Sequence, residues 1–186
     1  SAASDVYKRQ AIWFFFMYGT IMLWQASLMG PYYKSSGLFS FDASIVLMMP
    51  AVGFAIGCFL AGILADKVFH SKKKVLVIGT IVYTIVWAVI AFTQIDNQMV
   101  QMAINLGFGF FGGWFVVSYG QIKELYPLSV AGTSSAAINL FPFLGGAVLT
   151  TAAGFLVTNN TPDQFQSIWY LVLVMMVIAC ICAVMT

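Results

Sequence analysis

Six stretches of this chain are each long and apolar enough to cross a bilayer, and that constrains its fold more than any other feature. A helix needs about 20 apolar residues to cover the hydrocarbon core. The stretches run over about residues 11–30, 43–65, 75–94, 99–122, 128–158 and 165–186. Membrane barrel strands do not fit, because they alternate over about ten residues, whereas these runs are longer and apolar all round. The predicted fold class is all-α integral membrane, with six transmembrane helices. The 8% charged residues agree, since a soluble domain carries about 25%. A net charge of +2 leaves no electrostatic footprint for phosphates, so nucleic acid is not an expected partner. The lipid bilayer is.

The charges that remain are sorted by side. Lys8, Arg9, Lys67, Lys72, Lys73, Lys74 and Lys123 fall on one side of the membrane, and only Lys34 on the other. The positive-inside rule then predicts both chain ends in the cytoplasm, in a plasma or bacterial inner membrane. An even number of spans requires the two ends to share a side, so two independent observations agree. Residues 1–10 read as a polar lead-in or an extraneous remnant, ahead of a transmembrane domain over 11–186. The chain lacks an initiator Met and ends at Thr186 on an apolar run, so a fragment or half of a longer protein is expected.

Small residues predict where helices approach closely. Gly53, Gly57 and Ala61 recur at four-residue spacing on the second span, and Gly109 and Gly113 on the fourth. Ala136, Ala137, Gly145, Gly146 and Gly154 run down the fifth, which is overlong and expected to kink at Pro142. The third and sixth spans are bulkier, with Val77, Ile81, Ile85 and Val89, then Val172, Met176 and Ile181. Those two are expected at the periphery, with the other four building the interior.

Catalysis has no visible residues to run on. The one histidine, His70, lies in the basic loop, and there is no HExxH or GxSxG. Cys58, Cys180 and Cys182 sit inside apolar runs without zinc spacing, so no disulfide, metal or cofactor is expected. An enzyme is not the expected class. The polar groups inside the spans are uncharged: Tyr18, Trp24 and Gln25 on the first, Asn105, Trp114 and Tyr119 on the fourth, and Asn139 on the fifth. Each such group either bonds between helices or lines a solute cavity. Trp24, Gln25, Tyr119 and Asn139 are the candidates for solute contact. Asn139 stands three residues before Pro142, which frees a carbonyl one turn back.

The loop after the second span reads Gly62-Ile-Leu-Ala-Asp66-Lys67-Val-Phe69-His70-Ser71 and then three lysines. It resembles the Gly-x-x-x-Asp-(Arg/Lys)-x-Gly-(Arg/Lys)-(Arg/Lys) signature of the major facilitator superfamily. Gly62, Asp66 and Lys67 match; Phe69 stands at the second glycine, and the basic triplet comes late. A second stretch, Glu124-x-x-Pro127-x-x-x-x-Gly132-Thr133 with Asn139 after it, is similar to the loop and helix start before the fifth helix of a half-transporter. The resemblance implies a C-terminal six-helix half, built of two inverted three-helix repeats, whose partner is the missing N-terminal half. It implies secondary transport of a small organic solute by alternating access. Gly62, Asp66, Lys67 and Glu124 would serve gating, with Asp66 pairing with a helix end of the other half. Symport with protons is common in that family, yet this half has no intramembrane carboxylate. The rival reading is a stand-alone six-span protein acting as an oligomeric scaffold or partner-binding subunit.

Overall fold

The computed structural model describes residues 2–186. Six helices are long and apolar enough to cross a membrane: α1 (Ser4–Ser35), α2 (Ser44–Val68), α3 (Lys72–Phe92), α4 (Gln98–Glu124), α5 (Ser129–Leu156) and α6 (Pro162–Met185). No strand occurs among the described residues. The expected lead-in is helical from Ala2 onward and carries Gln10 into the interior. α1 also runs past Gly30-Pro31 to Ser35. Pro31 begins no break because it falls in the first turn after a π-helical segment, where its missing N–H costs little.

Local signals set the helix starts. Asp42 Oδ1 accepts the Ser44 N–H at 2.9 Å and opens α2. Ser71 Oγ accepts the Lys74 N–H at 3.3 Å, and Asn97 Oδ1 accepts the Val100 N–H at 3.2 Å, capping α3 and α4. Pro162 occupies the first turn of α6, where a missing N–H is harmless.

The helices pack in pairs. α2 lies along α4, α1 along α5, and α3 along α6. Exchanging the first three helices with the last three maps the α2–α4 pair onto α5–α1, so the packing carries the inverted-repeat symmetry. Glycine makes both pairs close. A methyl at Gly57 would overlap the Phe110 carbonyl, one at Gly53 the Leu106 carbonyl and one at Gly109 the Pro50 carbonyl. On the α1–α5 side, a methyl at Gly145 would overlap the Phe15 carbonyl, and one at Gly19 would come within 2.9 Å of Gly145 C. The expected role of Gly53, Gly57, Gly109, Gly113 and Gly145 therefore holds. It does not extend to Gly62 or Gly154, which have open space around them.

The division into interior and peripheral spans holds in part, since α3 and α6 each expose one face and bury the other. Val172 is 1% exposed and Met176 0% on α6, while Ile81, Ile85 and Ile181 face outward as expected. The interior lies among α1, α3, α4 and α6, filled by Trp24, Tyr83, Trp87, Phe108, Phe165 and Trp169. α2 and α5 instead leave Met48, Phe59, Phe143 and Phe155 exposed. Small residues mark where two backbones touch; large rings fill the space between more distant helices.

α5 departs from regular geometry before Pro142. Helix runs over Leu128–Ile138, turns at Asn139, and resumes over Leu140–Leu156. Pro142 has no N–H to offer the Ile138 carbonyl, which places the break one turn before the proline. α4 has a matching irregularity, a single 3-10 turn over Trp114–Val116.

Candidate functional site

Two places gather the polar groups that the sequence singled out. The first spans α4 and α5 at their irregular turns. Asn139 occupies the break in α5 and is exposed. Tyr119 follows the 3-10 turn of α4 and is half-buried. The Tyr119 hydroxyl donates to Asn139 Oδ1, which joins the two irregular turns. The Asn139 amide nitrogen remains on the surface. Beside Tyr119 lies Phe14, with ring centroids 5.0 Å apart, and Phe115, at 5.9 Å. Gln25 is half-buried in the π-helical turn Leu23–Leu28, about 10 Å further along α1 than Tyr18.

Trp24, grouped with these in the sequence, belongs elsewhere. It is 0% exposed. Its ring touches those of Trp87 at 5.9 Å, Trp169 at 5.2 Å and Tyr32 at 5.4 Å. Its indole N–H donates to Asn105 Oδ1 at 2.9 Å. Asn105 Nδ2 donates to the Tyr33 hydroxyl at 2.8 Å, and Tyr33 donates to Gln101 Oε1 at 2.7 Å. Gln101 Nε2 closes the chain on the Ile95 carbonyl at 2.9 Å. Trp24 is thus sealed in the core with its donor spent. The signal for this network was the pair Gln101-x-x-x-Asn105, two amides one turn apart on one helix face. Trp114 is also buried, with its ring against Gly79 of α3.

The second place is the basic end of the bundle. Arg9 donates from Nη1 to the Met185 carbonyl at 2.7 Å, so both chain ends meet at this end. Asp66 and Lys67 lie in a π-helical turn over Leu64–Val68, and both are exposed. The left-handed residue that ends this turn is His70, with φ of 48°, whereas Phe69, at the signature's second glycine, has φ of −88°. The chain reverses without a glycine, one residue later than the signature has it. Asp66 and Glu124 line one recess of about 320 Å³ together with Ala65, His70, Ser71 and Lys72. Lys72 forms an ion pair with Glu124 across the recess. Gly62 is exposed one turn before Asp66, and Lys67 is not among the lining residues. Sequence reading grouped Lys72 with the other loop lysines; the glycine at position 120 is what lets it reach, since a methyl there would lie 2.9 Å from Lys72 Cε.

No group of three or more His, Cys, Asp or Glu side chains with metal-binding proximity occurs among the described residues. At the opposite end, Asp96 Oδ1 accepts the Ser40 N–H at 2.9 Å, and the Gln98 amide donates to the Asp42 carbonyl at 2.9 Å. These bonds tie the α1–α2 connection to the α3–α4 connection. Hydrogen bonds from the Ser40 and Ser44 backbones hold the Asp96 and Asp42 carboxyls below the usual carboxylate range.

Comparison with known proteins places this architecture. The chain is 32% identical over 119 residues to the inner membrane metabolite transport protein YhjE of Escherichia coli strain K12. That alignment covers 61% of this chain and 26% of the relative. Its fold matches the crystal structure of an auto-inhibited POT family peptide transporter with a TM-score of 0.70 at 15% identity, over 97% of this chain and 36% of that one. The chain thus spans only about a quarter to a third of the proteins it matches. A family model described as the Major Facilitator Superfamily matches residues 11–186. The chain belongs to the Major Facilitator Superfamily.

Proposed function

We propose that this chain is one six-helix half, the C-terminal one, of a secondary transporter that moves a small organic solute across a membrane by alternating access. A metabolite transport protein among its relatives supports transport over catalysis. The observation that carries the reading is Asn139. It is an exposed amide within a membrane-spanning helix, at a break, on a face that also carries Tyr119. Against acyl chains, an amide with free hydrogen-bonding capacity costs several kcal/mol, about 2–7 for a comparable polar group. Against a water-filled cavity it costs nothing and is available to a solute. Gln25, Tyr119 and Asn139 are the contacts assigned to the solute, and Trp24 is left to the core.

The basic end faces the cytoplasm, with both chain ends there. Asp66 acts at the gate by pairing with a helix terminus of the other half, which the open space beside Gly62 lets approach. Glu124 is held by Lys72 and lines the same recess. Lys67 is exposed outside the recess and is assigned, with Lys73 and Lys74 of the same loop, to the anionic lipid headgroups. The carboxylates of this half lie at the ends of its spans and none at mid-span, so proton coupling is assigned to the other half.

The test is uptake into liposomes. The full-length protein is expected to accumulate solute, and the six-span chain alone is not. Concentrative uptake by the six-span chain would overturn the half-transporter reading. Asp66→Asn is expected to impair transport in the full-length protein at near-normal abundance and thermal stability; unchanged transport kinetics would remove the gating role.

A further inference from the structure

Around Asn139 the bundle presents a shelf of aromatic rings drawn from four helices. Tyr18 of α1 lies 5.1 Å from Phe115 of α4 and 5.8 Å from Phe143 of α5, ring centroid to centroid. Phe54 of α2 lies 5.7 Å from Phe115. Phe115 then meets Tyr119, whose hydroxyl is bound to Asn139. The four helices are the two glycine-tightened pairs α2–α4 and α1–α5, so rigid backbones hold the rings. Phe143 is 58% exposed, and Tyr18, Phe54 and Tyr119 are half-buried.

Two properties of this shelf define what it suits. First, the interior stretches of these four helices carry no charged side chain, so the shelf offers no countercharge to an ion. An ion moved onto it would lose hydration and gain no partner from this half. Second, its free polar groups are few: the Asn139 amide nitrogen and the Tyr18 hydroxyl, neither of which donates a hydrogen bond among the described residues. Rings favour offset or edge contacts with another flat apolar body. A lipid-facing wall would not place an amide and a phenol beside such rings at this depth.

We propose that the shelf binds the uncharged, ring-bearing part of the solute, with Asn139 and Tyr18 reading one hydrogen-bonding group on it. The proposal rests on the transporter reading and adds the solute's chemical class. Tyr18 joins Phe54, Phe115 and Phe143 as specificity-determining residues, and a list of polar positions misses the three phenylalanines. The solute stacks on the rings while its polar group takes the Asn139 amide.

The test uses the full-length protein with Cys58, Cys180 and Cys182 replaced and a reporter introduced by Ala147→Cys. Ala147 is exposed one helical turn from Phe143. Labelling by a water-soluble thiol reagent is followed with benzamide, acetamide, benzoate or benzylammonium present. Benzamide is expected to slow labelling about fivefold at four times its dissociation constant. Acetamide, benzoate and benzylammonium at equal concentration are expected to do nothing. Tyr18→Phe is expected to keep most of the protection and Tyr18→Ala to lose it, with thermal stability followed for both. A reporter that is not labelled at all overturns the cavity reading itself. A reporter that is labelled but not protected by benzamide, or is protected equally by acetamide, overturns only the solute class. Stronger protection by either ion also overturns it.

Discussion

Replacing Trp24 by Phe tests whether this residue supports the core or touches solute. The change removes the indole N–H and leaves Asn105 Oδ1, in a fully buried side chain, without its donor. Interhelical hydrogen bonds in membrane proteins are worth about 0.6–2 kcal/mol. Shrinking a ring enclosed by Tyr32, Trp87, Phe108 and Trp169 leaves a void, which adds about 1–2 kcal/mol. The single variant should therefore lose about 2–3 kcal/mol. Asn105→Leu keeps the volume but orphans the Trp24 N–H and removes the donor to Tyr33, at about 1–3 kcal/mol. The double variant should lose less than the sum by about 0.6–1.7 kcal/mol, which is the bond itself. The assay is unfolding of the purified full-length protein in mixed micelles, beside solute uptake by each variant. Stability is expected to fall while KM stays within about twofold. A coupling below about 0.3 kcal/mol would refute the bond. A large KM change at unchanged stability would return Trp24 to the solute surface.

The glycine pairs give a contrast within one protein. Gly57→Ala forces α2 away from the Phe110 carbonyl and should cost about 1–3 kcal/mol, read as a lower melting temperature. Gly132→Ala meets nothing within 4 Å on a helical position and should be neutral or stabilising by up to about 1 kcal/mol. At the acidic end, Asp96 is ionised in its bond to the Ser40 N–H, and its folded-state pKa lies below the unfolded one. Its contribution is complete above the unfolded value of about 3.9 and disappears as pH falls through the lowered folded value. Asp96→Asn should flatten that acid limb of the stability profile.

How much of this was legible follows from what each signal measures. Apolar run length measures whether a helix can span hydrocarbon, so six helices were readable before any contact was known. Run length cannot fix the ends. Residues 2–10 carry Asp5, Lys8 and Arg9 and are still helical, because a helix continues past the apolar boundary wherever it finds a neighbour. Glycine spacing marked the α2–α4 contact correctly because a missing side chain has one structural use there. The same reading failed at Gly154, whose surroundings are open.

Polarity proved the weakest guide, since it does not say what a polar group faces. Trp24 and Asn139 look alike in the sequence, each a hydrogen-bonding residue within an apolar run. The difference lies eighty-one residues from Trp24, at Asn105, whose amide completes it. Asn139 has its Tyr119 partner, yet that bond uses only its oxygen and leaves the nitrogen outward. Asparagine carries two donors and an acceptor, so one bond from a tyrosine cannot satisfy it. A core that seals Trp24 within five rings has no such remainder. The unspent amide, rather than polarity itself, is what marks Asn139 as the proposed solute contact and leaves Trp24 structural. It also explains why the aromatic residues beside Asn139 carry no signal of their own in the sequence. Rings have no hydrogen-bonding deficit to count, and only the neighbouring amide reveals that their exposed faces border a polar space.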